Sequence, residues 1–172
     1  DKLMTKKYSD LDNPTGISVK AGDDVIVLVG DTYGQNVSVQ CIWETGTEYK
    51  QTASSGDVYM LTPGINKLTM KREGQLFVMY NTDLTSNSAK PIKIHIPLGS
   101  GTVNGFFDLK EHKTDEKYAE LLKKSTHKYF CIRGEKIMFY FNRNKLLEYV
   151  PNNILSAIHL WDNICLLYTS PS

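Results

Sequence analysis

Apolar and polar residues alternate near the middle of the chain in the pattern of a strand with one buried and one exposed face. The alternating positions are Ile92, Lys93, Ile94, His95 and Ile96, with the three isoleucines on one face. A second apolar run, Leu76–Tyr80, precedes them and is separated from them by a polar stretch over 81–90. The two runs predict a pair of strands joined by a polar turn.

Apolar runs separated by turn residues fill the rest of the first half of the chain. They predict strands at 17–19, 25–29, 37–42 and 65–70. Val25–Val29 is apolar at every position, which suits a central strand buried on both faces. Glu44–Asp57 is polar and rich in glycine and serine, so it is predicted to be an exposed loop. Short strands with turn residues between them indicate an antiparallel, jelly-roll-like β-sandwich.

The pattern changes after Pro97. Residues 98–105 are glycine-rich and predict a linker or a close approach of the backbone. They lack the Lys-Ser/Thr ending of a phosphate-binding loop. Residues 106–109 predict one more short strand. Thr114 or Asp115 is expected to cap a helix that ends near Ser125. A hairpin of 129–132 with 136–141 follows. After Pro151, an asparagine caps a second helix with apolar positions at Ile154, Ala157, Ile158, Trp161 and Ile164.

Composition excludes some classes of partner. The 172 residues carry 20 Lys and Arg against 19 Asp and Glu, and neither sign forms a long block. No basic surface for nucleic acid or an anionic membrane is therefore indicated. No apolar stretch reaches the roughly 18 residues that a membrane-spanning helix needs. The first residues lack an apolar signal region and do not begin with Met, so we expect upstream residues that could include a secretion signal.

The titratable residues give no catalytic or metal-binding constellation. His112 and Glu116 lie four residues apart and could share one helix face, but no third ligand is nearby, so a solvated polar pair is the better interpretation. The cysteines Cys41, Cys131 and Cys165 lack ligand spacing. We expect Cys41 and Cys131 to be small buried residues on strands, with a disulfide between them as the alternative.

Four aromatic residues are candidates for contact with glycans. They are Tyr33, Trp43, Tyr49 and Tyr59, which lie in or beside predicted loops. Sugar rings often stack on aromatic faces at such loop ends. The alternative is that these side chains cap the core of the sandwich.

Several motifs in order resemble one family. The opening is Tyr8-Ser-Asp-Leu-Asp-Asn-Pro-Thr-Gly-Ile17, and further matches are Leu61-Thr-Pro-Gly-Ile-Asn66, Gly74-Gln-Leu-Phe-Val-Met-Tyr80, Ile92-Lys-Ile-His-Ile96 and Gly105-Phe-Phe-Asp-Leu109. The last is Asn153-Ile-Leu-Ser-Ala-Ile-His-Leu-Trp-Asp162. Together they resemble the start of enhancin-like, gluzincin-type metallopeptidases, which cleave heavily glycosylated proteins such as mucins.

This resemblance implies an α+β protein, with the sandwich followed by the incomplete start of an α/β metallopeptidase domain. It implies a zinc ion in the complete protein, held by a His-Glu-x-x-His helix and a downstream acidic residue. The present sequence ends before such a helix, so no catalytic or metal-binding residue is assigned. We expect the fragment to bind no zinc and to be inactive.

The resemblance divides the chain into a sandwich domain over 1–98, the start of the metallopeptidase domain over 99–164, and a tail over 165–172. The tail, Cys165-Leu-Leu-Tyr-Thr-Ser-Pro-Ser172, resembles translated adapter sequence and is expected to interrupt the last helix. The helix would then lack a partner and expose Ile158 and Trp161.

Two functional hypotheses follow. The chain is either part of an extracellular or cell-surface zinc metallopeptidase with glycoprotein or mucin substrates, or a non-catalytic β-sandwich that binds glycans or a cell-surface partner. The first rests on the resemblance, and the second rests on the loop aromatics.

Overall fold

The computed structural model describes residues 13–45, 52–81 and 90–169. It separates into two compact units, one comprising Asp12–Val103 and the other containing Asn104–Ser172. Antiparallel strands dominate the first unit, and helices and a small sheet form the second. The α+β fold class is thus confirmed, while the domain division at 98 and 164 stays a prediction.

The first unit contains two antiparallel sheets. Its strands are β1 (Pro14–Val19), β2 (Asp24–Val29), β3 (Asn36–Thr45), β4 (Thr52–Met60), β5 (Gly64–Thr69), β6 (Gly74–Asn81), β7 (Ile94–His95) and β8 (Thr102–Val103). The five-stranded sheet has the order β4-β3-β6-β1-β8, and the three-stranded sheet has the order β5-β2-β7. Buried side chains from both sheets form one core, which makes this unit the predicted sandwich.

Buried and half-buried residues alternate along the central strand β2, although its sequence is apolar at every position from Val25 to Val29. Val25, Val27 and Val29 are buried in the sandwich core, whereas Ile26 and Leu28 are only half-buried. The prediction of a strand buried on both faces is therefore wrong, because a sandwich sheet has only one face toward its core. The central position between β5 and β7 is as predicted.

Two other expectations are corrected in this unit. The predicted loop Glu44–Asp57 is largely strand, since β3 extends to Thr45 and β4 begins at Thr52, with 46–51 outside the described residues. Pairing across the sheet determines this extension, which local composition does not reveal. Over 92–96 the alternation is confirmed, with the three isoleucines half-buried, but only Ile94–His95 forms ladder pairs.

The second unit is built on a three-stranded sheet. Its elements are β9 (Phe107–Asp108), α1 (Leu109–His112), α2 (Asp115–Lys124), β10 (Tyr129–Arg133), β11 (Met138–Asn142), α3 (Arg143–Tyr149) and α4 (Ile154–Thr169). β10 pairs with β11 antiparallel, as the predicted hairpin, and with β9 parallel. The helices and the sheet share one core that includes Phe107, Phe130, Ile132 and Ile158.

Helix α2 follows the predicted pattern. The Thr114 hydroxyl oxygen accepts a hydrogen bond of 3.2 Å from the Lys117 N–H, which is a helix N-cap. Tyr118 and Leu122 are buried, and Leu121 is half-buried. The Tyr118 hydroxyl donates a 2.8 Å bond to the Val150 carbonyl, which ties α2 to the end of α3.

The last part of the chain differs from prediction in three ways. Helix α3 was not predicted, and α4 continues through Cys165 to Thr169 without interruption. Ile158 is fully buried, so its expected exposure is wrong, whereas Trp161 is 45% exposed as expected. The buried stripe of α4 faces the hairpin, which supplies the packing partner that the sequence did not reveal.

No helix in the described residues is long and apolar enough to cross a membrane.

Candidate functional site

Tyr33 has the most accessible ring of the glycan-contact candidates that the structure describes. It lies between β2 and β3, it is 51% exposed, and its φ of 52° is left-handed. The Asp31 carboxylate accepts a 2.7 Å bond from the Tyr33 N–H and holds this turn. The Lys90 ammonium lies 4.7 Å from the ring centroid. The turn therefore presents an aromatic ring with a cation over one face.

Trp43 on β3 is half-buried, and one face of its indole ring is occupied. The Arg72 Cζ atom lies 4.5 Å from the ring centroid. The Arg72 Nε atom in turn lies 3.7 Å from Asp57 Oδ2, so a carboxylate helps to hold the guanidinium in place. A Cβ atom at Gly56 would overlap the ring edge, and the indole therefore packs directly on backbone.

Tyr59 on β4 fits the alternative interpretation better. It is half-buried and packs against the sandwich core. Its hydroxyl oxygen accepts a 3.0 Å bond from the Lys71 N–H, and burial raises the pKa of Tyr59. The ring thus fastens β4 to the turn before β6. Tyr49 lies outside the described residues.

The described aromatics do not form one platform. Tyr59 is opposite Val39 in the β3–β4 ladder, while Trp43 is opposite Ser54 at the far end of β3. Positions 39 and 43 on a strand are separated by roughly 13 Å. The structure therefore presents Tyr33 as an exposed ring and places Trp43 on the inner strand β3 and Tyr59 on the edge strand β4.

The His112 and Glu116 pair does not form the helix face that its spacing allowed. His112 ends α1, and Glu116 lies in α2, with Lys113 between them at a left-handed φ of 60°. The Nδ1 atom of His112 accepts a 2.9 Å bond from the Asp108 N–H. In 13–45, 52–81 and 90–169, no three His, Cys, Asp or Glu side chains group as a metal site would require. His112 and Glu116 therefore have no third ligand beside them among these residues.

Two cysteines, one in each unit, have described side chains, and both are structural. Cys41 and Cys131 are buried on strands as predicted, and no disulfide joins them. Burial raises the pKa of the Cys131 thiol, which keeps it protonated near neutral pH. This thiol is therefore unsuited to act as a nucleophile.

Carboxylates with lowered pKa values belong to exposed ion pairs. Hydrogen bonds from Lys124 and Lys117, at 2.6 and 2.9 Å, lower the pKa of Glu120 to about 2. Hydrogen bonds from Lys67 and Thr69 lower the pKa of Asp24. Both carboxylates lie on solvated surfaces, so these shifts indicate surface pairing and no general acid or base.

Two buried polar side chains of the second unit satisfy backbone groups. Asp162 accepts bonds from the Glu135 and Lys136 N–H groups at 3.1 and 3.0 Å, and this joins α4 to the hairpin turn. The Asn104 side-chain oxygen accepts bonds from the Thr126 and His127 N–H groups at 2.7 and 2.8 Å. Their partners are backbone donors, which indicates structural roles.

The cations over Trp43 and Tyr33 were not identified from the sequence. Arg72 and Lys90 lie outside the strands and far along the chain from the rings that they cover. No local spacing rule links such pairs, so only the folded sandwich brings them together.

Comparison with known proteins gives a clear relationship. No family model matches the chain, and no curated protein matches it. A solved metallopeptidase from Bacteroides thetaiotaomicron is 94% identical with a TM-score of 0.87, over 95% of this chain and 28% of its own. A metallopeptidase in complex with Tn antigen is 90% identical with a TM-score of 0.87, over 94% of this chain and 30% of its own.

A more distant structure shares the fold. The M60 catalytic domain of Clostridium perfringens ZmpC, in complex with the sialyl T antigen, is 21% identical with a TM-score of 0.68. The match covers 88% of this chain and 33% of that one. The chain thus spans less than a third of the two near-identical structures and about a third of this one. With 94% identity over 95% of its length to one such protein, the chain belongs to the same metallopeptidase family as the two near-identical structures and corresponds to a part of one, and it shares the fold of the M60 catalytic domain.

Proposed function

We propose that this chain is part of a zinc metallopeptidase that acts outside the cell or at its surface on glycoproteins such as mucins. The observation that carries the proposal is the 94% identity to a metallopeptidase over nearly the whole chain. The 90% identical metallopeptidase in complex with Tn antigen supports a substrate that carries this antigen. In this proposal the chain contributes the sandwich and the start of the catalytic domain.

The zinc site belongs to the part of the protein that this chain does not contain. The sequence holds no His-Glu-x-x-His motif, and His112, the histidine with a possible ligand neighbour, accepts a backbone hydrogen bond. In this proposal the missing part of the protein supplies the groups that activate a water molecule. Its roles are to complete the fold and to position substrate.

The test compares the purified 172-residue chain with the full-length, near-identical metallopeptidase on one glycopeptide that carries Tn antigen. With zinc present, the full-length protein should cleave the peptide and lose activity on chelation. The chain alone should leave the peptide intact. Zinc-dependent cleavage by the chain, at a rate that survives repurification, would show that it carries a complete site.

A second function is favoured by Tyr33. Its ring is 51% exposed in a turn that the Asp31 bond holds, which suits stacking on a sugar. We assign the sandwich a glycan-contacting role in which Tyr33 leads and Trp43, Tyr49 and Tyr59 are the other candidates. Binding of the chain to a glycan array should decrease with Tyr33→Ala and remain with Tyr59→Phe. Binding that none of these four residues affects would refute this role.

A further inference from the structure

Helix α4 has two apolar sides. Ile154, Ile158 and Asp162 repeat at intervals of four and form the buried side, against the core of the second unit. Ala157, Leu160, Trp161 and Ile164 follow helical spacing on an adjoining side. On that side Leu160 is 60% exposed and Trp161 is 45% exposed. Over residues 154–164, the polar residues outside the buried side are Ser156, His159 and Asn163, which form a narrow strip.

The exposed side of α4 continues onto the hairpin. The Trp161 ring lies 6.2 Å from the ring of Phe139, edge to face, and Phe139 stacks on Phe141 at 5.4 Å. Phe141 is 45% exposed. We name Leu160, Trp161, Ile164 and Phe141 the outer face. It presents aromatic and aliphatic side chains without an ionised group of its own.

A helix that is apolar on most of its circumference is normally buried. Residues 154–169 contain no Lys or Arg, and their single carboxylate, Asp162, is buried against the hairpin. By contrast, α2 carries three lysines and three acidic residues and has one buried stripe. The outer face thus has the composition of an interface and not of a solvated surface.

We infer that the outer face is the docking surface for the part of the metallopeptidase that this chain does not contain. This inference rests on the proposed function, because it requires a longer metallopeptidase. The near-identical structures extend over more than three times the matched length, so they supply polypeptide for such a contact. Leu160, Trp161 and Phe141 are its central contacts.

The test co-expresses the full 172-residue chain with the remaining polypeptide of the 94% identical metallopeptidase and measures their association. The two should co-purify as a complex of one copy each. Leu160→Glu should weaken the association by at least about tenfold, since a charge would enter a desolvated apolar contact. Leu160 is 60% exposed, so this variant should keep the fold. Trp161→Glu is the second variant.

Leu98→Glu is the matched control, because Leu98 is 92% exposed and lies in the sandwich unit. It should leave the association unchanged. A complex that tolerates Leu160→Glu and Trp161→Glu would overturn the inference. So would a concentration-dependent dimer of the chain alone that Leu160→Glu abolishes, or the absence of any complex. A complex that depends on Leu160 but cleaves no glycopeptide would support the docking surface and refute the proposed function.

Discussion

The guanidinium of Arg72 lies over the indole ring of Trp43, with Cζ 4.5 Å from the ring centroid. The contact closes one ring face, and Gly56 backs the ring edge. A sugar could therefore stack on Trp43 only on the remaining surface or after Arg72 moves. Tyr33 also has a cation over one ring face, that of Lys90, but it is 51% exposed, whereas Trp43 is half-buried. This difference ranks the aromatic candidates in a way that their positions in the sequence did not.

Removal of the Arg72 side chain should uncover Trp43. In a Trp161→Phe background, which leaves Trp43 as the single tryptophan, Arg72→Ala should increase quenching of Trp43 fluorescence by acrylamide. Stability should decrease by about 0.5–1 kcal/mol, the usual size of an exposed cation–π contact. Quenching in Arg72→Lys should lie between that of the parent and that of Arg72→Ala, because lysine keeps the charge and loses the planar group. Quenching that does not change would show that Arg72 does not cover the ring in solution.

Asp162 should be a major stabilising residue of the second unit. Its carboxylate is buried and accepts two bonds from the hairpin turn, so Asp162→Ala would leave the Glu135 and Lys136 N–H groups without this partner. The expected loss is about 2–4 kcal/mol, since hydrogen bonds to a charged group contribute about 1.5–3 kcal/mol each and are not additive. Urea unfolding followed by circular dichroism measures this loss.

Asp162→Asn separates the charge from the shape of the side chain. It keeps one oxygen acceptor, so its effect should be smaller than that of Asp162→Ala. Asp115→Ala is a comparison variant that removes one bond, the 3.0 Å contact with the Leu155 N–H at the start of α4. If Asp162→Ala unfolds at the same urea concentration as the parent chain, the two bonds contribute no net stability.

Gly134 permits the close approach of α4 to the hairpin. A Cβ atom there would lie 2.9 Å from Ile158 Cγ2 and 3.2 Å from Asp162 Oδ1. Gly134→Ala should therefore destabilise the chain by about 1–3 kcal/mol through overpacking. The companion change Ile158→Leu removes the Cγ2 branch at nearly constant side-chain volume and should restore part of that loss in the double variant.

Gly30→Ala is the matched control for Gly134→Ala. A Cβ atom at Gly30 would meet Lys93 atoms at 3.5 Å, which is ordinary van der Waals contact. Its thermal unfolding should stay close to that of the parent chain. Equal effects of the two substitutions would mean that contact with α4 does not set the requirement for glycine at position 134.

Local patterns predicted the parts of the fold that local interactions determine. Helix α2 was predicted because Thr114 caps it and Tyr118 and Leu122 recur at helical spacing. The short helix α3 was missed, although its cap was present in the sequence: the Asn142 side chain accepts bonds from the Asn144 and Lys145 N–H groups. With only Leu146 buried, α3 has no apolar stripe to indicate a helix.

Contacts between distant residues account for what the sequence did not reveal. The length of β3 and β4 depends on pairs such as Thr45 with Thr52, and the burial of Ile158 depends on the hairpin. The candidate site follows the same rule. Position beside a turn identified Tyr33 as a candidate, but only the folded sandwich shows that Arg72 covers Trp43 and that Tyr59 accepts a backbone bond.

The pKa of Glu120 gives a test that depends on pH and salt. Lys124 and Lys117 lower it to about 2 from an ordinary value of 4.5. A lowered pKa in the folded state means that the stabilising effect is present above pH 4.5 and is lost as the pH falls toward 2. A carbon-detected NMR titration should place the Glu120 midpoint near 2 at low salt. High salt should raise the midpoint, because the pair is exposed and screened.

Glu120 contacts Lys124 at 2.6 Å and Lys117 at 2.9 Å. Lys124→Ala removes the shorter contact, so it should raise the Glu120 midpoint more than Lys117→Ala does. Lys145→Ala, which removes the similar pair with Glu148, should leave Glu120 unchanged and raise the midpoint of Glu148. A midpoint near 4.5 for Glu120 in the parent chain at low salt would mean that the two lysines do not hold the carboxylate in solution. In that case, Glu120→Gln should not change how the stability of α2 depends on pH.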